Sequence, residues 1–281
     1  MLKSRHIRSV VDTPMQPALS AIHRNRVLVE PGQWERTDPF FVLAEDWYSR
    51  GAFDNHPHRG IETFTYMVEG SNRHYDNHGN GGVIGPGEAL WLTAGRGLIH
   101  NEIPADELPV HTLQLWINLP QKYKMVKASY QELTEEKIAR RSLPGVEVRI
   151  FSGRSGDVIS ATTNYSPVFI IELQLEPNRT FEQKLPADFN GFLYVLDGEG
   201  YAGANKQQIS RGQIAWMQHE TVDSSITMGT QAKSLRVLLI AGQPSRERIV
   251  AGGPFIMNSP QEIEEAFRDF RRDRDRFGLE D

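Results

Sequence analysis

The sequence contains no cysteine, which excludes disulfide bonds and thiolate ligands, so a metal site must use nitrogen and oxygen. It also lacks an excess of positive charge: the formal net charge is -5, which gives no electrostatic reason to bind nucleic acid. No hydrophobic run is long enough to cross a bilayer, and no apolar segment follows the basic residues 1–8. We therefore expect a cytoplasmic protein with neither a membrane nor a nucleic-acid partner.

The 281 residues include 24 glycines and 16 prolines, scattered between short runs rich in Val, Ile, Phe, Tyr and Thr. This pattern is typical of many short strands joined by tight turns, and it predicts an antiparallel all-β sandwich or barrel. Residues 63–70 (TFTYMVEG) have the same layout as residues 191–198 (GFLYVLDG). Residues 86–91 likewise match residues 211–216. This weak internal repeat predicts a duplicated β-domain.

The repeat and the polar stretch in the middle of the chain suggest three regions. We predict an N-terminal domain with the metal site over 1–130, a C-terminal domain without metal over 131–250, and a C-terminal segment with a helix over 251–281. The polar connection between the two domains includes residues 134–140, which we interpret as a short helix.

A stronger helix signal stands near the C-terminus. Ser259 is suited to the N-cap, Pro260 to the first helical position and Glu262 to the third, where it completes a capping box. The apolar positions that follow have helical spacing, and they are Ile263, Ala266, Phe267 and Phe270.

Two histidine-containing motifs indicate a metal site. His56 and His58 are two residues apart, and His100 and Glu102 repeat that spacing some forty residues later. Residues two apart on a strand point to the same face, so two facing strands would bring three imidazoles and one carboxylate together. Such a donor set suits a borderline divalent ion such as Fe, Mn, Ni, Cu or Zn. The alternative interpretation is four polar residues on solvated strands.

The second copy of the repeat does not carry this set. When the turns that end residues 63–70 and 191–198 are aligned, Lys184 and Pro186 fall at the places of the two histidines of the first motif. Asn190 falls at the place of Glu62, and His219 stands alone. The C-terminal domain is therefore predicted to bind no metal.

Four segments resemble the pirin family. They are residues 54–63 (DNHPHRGIET), 86–102 (PGEALWLTAGRGLIHNE), 113–120 (LQLWINLP) and 253–258 (GPFIMN). The resemblance extends over nearly the whole chain. It implies a bicupin, which is two β-sandwich or jelly-roll barrels in tandem, with the C-terminal segment and its short helix packed back on the first barrel.

The resemblance also implies a single metal, usually iron, in the first barrel. Its ligands would be His56, His58, His100 and Glu102. In cupins generally the carboxylate of the first motif, here Glu62, is often the ligand, whereas pirins use the acid beside the last histidine. Both acids are present, and spacing alone cannot choose between them.

Members of the family are described in two ways: some are quercetin 2,3-dioxygenases that act on flavonols, and others are redox-responsive partners of transcription factors or metabolic enzymes. The resemblance therefore implies an Fe(II) enzyme that opens a flavonol ring with O2 and loss of carbon monoxide. Glu102 would take the substrate proton, while Arg59 and Glu62 would orient the imidazoles. The alternatives are an iron-containing redox sensor that binds a protein partner, and a hydrolase or isomerase that uses another metal.

Overall fold

The structure is a computed structural model that describes residues 2–279. It is 52% strand and 7% helix, which confirms the all-β prediction. In the first half of the chain the strands are β1 (Lys3–Ser4), β2 (Ile7–Asp12), β3 (His23–Val29), β4 (Phe40–Tyr48), β5 (His56–His58), β6 (Ile61–Glu69), β7 (Asn72–Asp76), β8 (Gly81–Ile84), β9 (Ala89–Thr93), β10 (Leu98–Pro104), β11 (Val110–Asn118) and β12 (Ser129–Leu133).

The second half of the chain continues with further strands and ends in a helix. These strands are β13 (Ala139–Leu143), β14 (Val146–Ser152), β15 (Arg154–Ser155), β16 (Val158–Ile159), β17 (Val168–Leu175), β18 (Thr180–Leu185), β19 (Asn190–Ala202), β20 (Gln207–Ser210), β21 (Gln213–Met217), β22 (Ser224–Gly229), β23 (Leu235–Gly242), β24 (Val250–Gly252) and β25 (Phe255–Met257). The α-helices are α1 (Trp34–Thr37) and α2 (Pro260–Arg272), with one 3₁₀ turn at Gln121–Tyr123. No helix in the described part of the chain is both long and apolar enough to span a membrane.

The strands form two sandwich units in tandem, as the bicupin prediction requires. In the first unit, a six-stranded sheet in the order β12-β9-β6-β11-β4-β3 faces a four-stranded sheet in the order β5-β10-β7-β8. The second unit is built from a sheet whose main path is β1-β22-β19-β23-β17-β14-β13, with β18, β2, β20 and β21 paired along it. The first two strands of the chain thus pair with β22 and β21 of the second unit. The division into 1–130, 131–250 and 251–281 stays a prediction.

A shared hydrophobic core joins the two barrels. Strand β6 is buried on both faces, so Phe64 and Tyr66 enter this core while Thr65 points into the first barrel. The second barrel contributes side chains to the same core, among them Phe151, Phe192, Trp216 and Leu238. Large aromatic side chains buried from both sides account for a tight association of the barrels.

Two tyrosines at equivalent positions of the repeat cross this interface in opposite directions. Tyr66 of the first barrel donates a hydrogen bond to Glu172 of the second, at 2.9 Å. Tyr194 of the second donates to Glu45 of the first, at 2.6 Å. Each carboxylate is also paired with a cation: Arg149 and Arg236 on Glu172, and Arg26 on Glu45. These reciprocal bonds satisfy buried charges and fix how the two barrels dock.

The interiors of the barrels differ. A single cluster of 22 buried apolar residues fills the second barrel. In the first barrel, the apolar side chains divide into two smaller clusters, around Ile61 and around Met67. The rest of that interior holds buried polar side chains, including His58, His74 and His100. Only the first barrel therefore has buried imidazoles available for a metal among the residues described.

The C-terminal segment packs on the first barrel. Helix α2 begins with the predicted capping-box residues: Ser259 Oγ accepts from Glu262 N–H at 3.2 Å, and the Glu262 carboxylate accepts from the N–H of Asn258, one residue before the N-cap, at 2.9 Å. Gly60 has a φ of +78°, and an added methyl group would overlap the carbonyl oxygen of Ile256. The prediction that the helix returns to the first barrel is confirmed.

The predicted helix over residues 134–140 is wrong. The Thr134 carbonyl accepts hydrogen bonds from Lys137 N–H and Ile138 N–H, and this single turn then continues into strand β13. Ile138 is buried and Arg140 pairs with Arg149 across β13 and β14. Pairing with β14 and burial of Ile138 therefore outweigh the local helix propensity.

Lys124 joins the C-terminal segment to the first barrel. Its side chain is buried, and its Nζ donates to the Gly60 carbonyl at 3.0 Å, to Asn118 Oδ1 at 2.8 Å and to the Ile256 carbonyl at 2.8 Å. Replacing Lys124 with Met keeps the volume but leaves three buried acceptors without this donor. We expect the free energy of unfolding to fall by about 3 kcal/mol.

Urea denaturation of Lys124→Met measures this loss, with Lys127→Met as the matched control because Lys127 is exposed. The control is expected to change stability by less than about 0.5 kcal/mol. Equal midpoints for the two variants would contradict the assigned role of Lys124.

Candidate metal centre

The pairing of strand β10 with two neighbours builds the site. His100 lies opposite His56 on β5, and on the other side of β10 Glu102 lies opposite His74 on β7. Residues directly opposite in an antiparallel pair point to the same side of the sheet. The two predicted motifs therefore face the same space inside the first barrel, as the i, i+2 spacing predicts.

Three of the four predicted ligands form one group. A nitrogen of His56, one of His58 and one of His100 all lie within 4.8 Å of one another. The ring centroids are 4.5 Å apart for His56 and His100, and 5.0 Å apart for His58 and His100. His58 and His100 are each only 1% exposed. Three converging imidazoles, two of them buried, are a donor set that can hold a divalent metal.

Each imidazole of this group keeps at least one ring nitrogen for which the described residues provide no hydrogen bond. Both ring nitrogens of His58 and Nε2 of His100 are buried and make no hydrogen bond to any residue that the structure describes. The Nδ1–H of His56 donates to the Asp54 carbonyl at 2.8 Å, which leaves the lone pair of His56 on Nε2. Buried polar atoms are normally satisfied, so these unpaired nitrogens fit coordination to a cation.

Burial also keeps two of the imidazoles neutral. Desolvation, and secondly the charge of His56, lowers the pKa of His58 well below its ordinary value. The pKa of His100 is lowered in the same way, by burial first and then by its histidine neighbours. A neutral imidazole is the form that binds a metal, so these groups need not lose a proton first.

Glu102 belongs to a second, overlapping group. One of its oxygens lies within 4.8 Å of nitrogens of His74 and His100, and all three residues are buried. Its carboxylate accepts from the Thr65 hydroxyl at 3.0 Å and from Gln114 Nε2 at 2.8 Å. Burial raises the pKa of Glu102 above its ordinary value, although these bonds oppose the shift. The raised pKa makes this carboxylate a better proton acceptor than an exposed one.

Arg59 follows the first motif and contacts the C-terminal segment. Its Nε donates to the Arg96 carbonyl at 2.6 Å, and its Nη1 pairs with Asp269 of α2 at 3.0 Å. The guanidinium also lies 4.7 Å from the centre of the Phe277 ring. Arg59 therefore anchors the helix beside His58.

Glu62 is fully buried at the junction of the two barrels. Its carboxylate accepts from the Thr93 hydroxyl at 2.9 Å, from the Trp91 indole at 3.3 Å, and from the backbone N–H groups of Tyr165 and Ser166. These bonds hold the segment that leads into β17 of the second barrel. Glu62 thus links β9 of the first barrel to the connection between the barrels, whereas the hydrogen bonds of Glu102 stay inside the first barrel.

Sequence reasoning did not single out three further residues of the site. Trp116 places its ring 4.8 Å from that of His58, edge to face. Gln114 bridges the Trp116 indole and Glu102. His74 lies beside His100. The signal was available: Gln114 and Trp116 occupy the face of β11 opposite its leucines, and His74 and Asp76 repeat the i, i+2 spacing.

Three other histidines, His78, His111 and His219, have partners elsewhere. His78 Nε2 lies 3.1 Å from the Gly97 carbonyl. His111 Nε2 is 2.7 Å from Glu45, in the interface network. His219 is exposed and lies beside Asp188 in the second barrel. None of the three belongs to either histidine group.

Two antiparallel β-sandwich barrels in tandem, with clustered imidazoles inside the first, define a bicupin with an N-terminal candidate metal site. The chain belongs to the pirin family. The pirin family model matches residues 25–117, and the model for the pirin C-terminal cupin domain matches residues 170–278. Human Pirin is 38% identical over 246 residues, which cover 85% of this chain and 83% of that protein.

Two solved structures are similar over nearly the whole fold. GK1651 from Geobacillus kaustophilus superposes with a TM-score of 0.85 at 42% identity, covering 88% of this chain and 99% of that one. A quercetin 2,3-dioxygenase from Acinetobacter baumannii superposes with a TM-score of 0.84 at 27% identity, covering 95% and 97%.

Proposed function

We propose that this protein is an iron-dependent dioxygenase that opens the ring of flavonols such as quercetin with O2. The observation that carries the proposal is the group of half-buried His56 with buried His58 and His100, in which His100 lies beside the carboxylate of Glu102. The similarity to a quercetin 2,3-dioxygenase supports the choice of substrate class.

The donor set suits Fe(II), which the three imidazoles would hold with Glu102 as the fourth ligand. Mn, Ni, Cu and Zn accept the same nitrogen and oxygen donors, so the resident metal is part of the proposal. A metal bound here supplies Lewis acidity, which lowers the pKa of a hydroxyl group that contacts it.

Glu102 is placed to take the proton of the flavonol 3-hydroxyl. Its carboxylate is held by Thr65 and Gln114 and is 6% exposed, so it keeps a fixed direction in a site shielded from water. Ionisation of the 3-hydroxyl makes the central ring electron-rich. Ring opening then incorporates both atoms of O2, and one ring carbon leaves as carbon monoxide.

Trp116 would form one side of the pocket for the aromatic substrate. The ring is partly exposed, stands edge-on to His58, and is fixed by the hydrogen bond from its indole N–H to Gln114 at 3.0 Å. A planar flavonol could stack on a fixed indole face next to the imidazoles. Trp91 and Phe64, by contrast, lie in the core between the barrels.

Substrate selectivity tests the proposal. Iron-loaded protein is expected to consume flavonols with a free 3-hydroxyl under O2 but not flavones, because a flavone lacks the 3-hydroxyl whose ionisation makes the central ring electron-rich. The measurement is O2 uptake together with product formation and carbon monoxide release. Equal, trace-level uptake with both compound classes would contradict the dioxygenase. A metal-redox-dependent pull-down would then test the alternative, an iron-containing redox-responsive protein that binds a protein partner.

A further inference from the structure

His74 is a buried histidine for which neither the fold nor the proposed reaction gives a role. Its side chain is 3% exposed and that of Asp76 is 1% exposed. Its Nδ1 lies 3.4 Å from His100 Nδ1, and its Nε2 lies 3.5 Å from Asp76 Oδ2. Both distances are at the long end of the hydrogen-bond range. Among the described residues, these are the hydrogen-bond contacts of the His74 ring.

The chemistry of these partners determines where the protons lie. A charged Asp76 can only accept, so His74 carries its proton on Nε2, and a neutral His74 is then left with an acceptor at Nδ1. His100 must in turn donate from Nδ1 to this acceptor. Its lone pair is consequently on Nε2, the buried nitrogen that has no hydrogen-bond partner.

Asp76 is itself held in the acceptor form. Its Oδ1 accepts from the backbone N–H of His78 at 2.9 Å and of Asn80 at 3.0 Å, and the Asn80 side chain donates to Oδ2 at 2.9 Å. Burial opposes ionisation, but the bonds from His74 and Asn80 lower the pKa of Asp76 overall. The turn between β7 and β8 therefore holds Asp76 as a fixed negative charge at one end of the hydrogen-bond chain Asp76–His74–His100.

We propose that His74 is a positioning residue: together with Asp76 it fixes the tautomer and direction of His100, so that His100 presents Nε2 to the metal. His56 is oriented in the same sense, but by the backbone carbonyl of Asp54. Metal-binding histidines commonly donate a hydrogen bond from their second nitrogen to a carboxylate or carbonyl. Here the imidazole of His74 lies between His100 and the carboxylate of Asp76. This inference rests on the metal site of the proposed function.

A purely structural role for His74 makes a different prediction. The ring stacks on Tyr130, with centroids 4.7 Å apart and planes at 19°. If this packing were its only role, an aromatic replacement would be tolerated and a small polar one would not. The positioning role predicts the reverse order, because asparagine keeps an acceptor near the place of Nδ1 whereas phenylalanine has none.

The test compares His74→Asn and His74→Phe with the wild type. Metal-free proteins are titrated with Ni²⁺ by calorimetry, and Co²⁺-loaded proteins are compared by visible absorption, which reports ligand geometry. We expect His74→Phe to bind metal about 10–100-fold more weakly, with altered Co²⁺ bands. For His74→Asn we expect affinity within about threefold of the wild type and unaltered bands, because the acceptor for His100 is kept.

Each outcome distinguishes this inference from the proposed function. Wild-type affinity and spectrum for His74→Phe would overturn the positioning role, and so would a loss that is as large in His74→Asn. A wild-type protein that binds no metal would overturn the proposed function itself. If His74→Phe does not fold, His74→Leu takes its place, since it also lacks an acceptor and lost affinity with an intact apo fold is again the expected result.

Discussion

Replacing His58 with alanine is expected to remove the metal and leave the fold. His58 is 1% exposed, and within the described part of the chain neither of its ring nitrogens has a hydrogen-bond partner. Without it, only two imidazoles and a carboxylate remain. We expect the metal content to fall from about one equivalent per chain to near zero. The apo protein is expected to keep its stability within about 2 kcal/mol, because the cavity left is offset by removing a buried unpaired polar group.

Metal analysis after purification, with thermal unfolding of the apo forms, measures both effects. His219→Ala is the matched control, since it removes an exposed histidine of the second barrel. The control is expected to keep the full metal content. Wild-type metal content in His58→Ala would show that His58 is not a ligand. A second equivalent of metal that is lost in His219→Ala would contradict the prediction that the C-terminal domain binds none.

The convergence of the two motifs could be predicted because it depends on local periodicity. Two residues two apart on a strand share a face, whatever the rest of the fold does. His56 and His58 are therefore linked by the sequence itself, and one pairing between β5 and β10 is enough to add His100. The capping box at Ser259 was predictable for the same reason, since its three residues lie within one helical turn.

The partners of Arg59 and Glu62 could not be predicted from local periodicity. Glu62 accepts hydrogen bonds from backbone more than a hundred residues away, and Arg59 pairs with Asp269, which is more distant still. Such contacts depend on how the barrels and the C-terminal helix dock. The spacing of His74 and Asp76 was visible in the sequence, but the position of His74 beside His100 follows from the register of β7 on β10.

Replacing Glu102 with glutamine is expected to abolish most turnover and keep part of the metal. A glutamine occupies nearly the same volume and retains one oxygen near the imidazoles, but it cannot take a proton. Loss of a general base costs about 10²–10⁴ in rate, and we expect flavonol-dependent O2 uptake to fall within that range. Metal affinity should fall less than in His58→Ala, because three nitrogen ligands remain.

The hydrogen bonds that Glu102 accepts also affect how a glutamine would fit at this position. Thr65 and Gln114 both donate to the carboxylate, so a glutamine must turn its NH2 group towards one of these donors. Glu69→Gln is the matched control, because Glu69 is an exposed glutamate of the same barrel. Steady-state O2 uptake, expressed per bound metal, separates the loss of the base from the loss of the ion. Turnover per metal equal to that of Glu69→Gln would mean that Glu102 does not act as the base, and the proton would have to go to another acceptor.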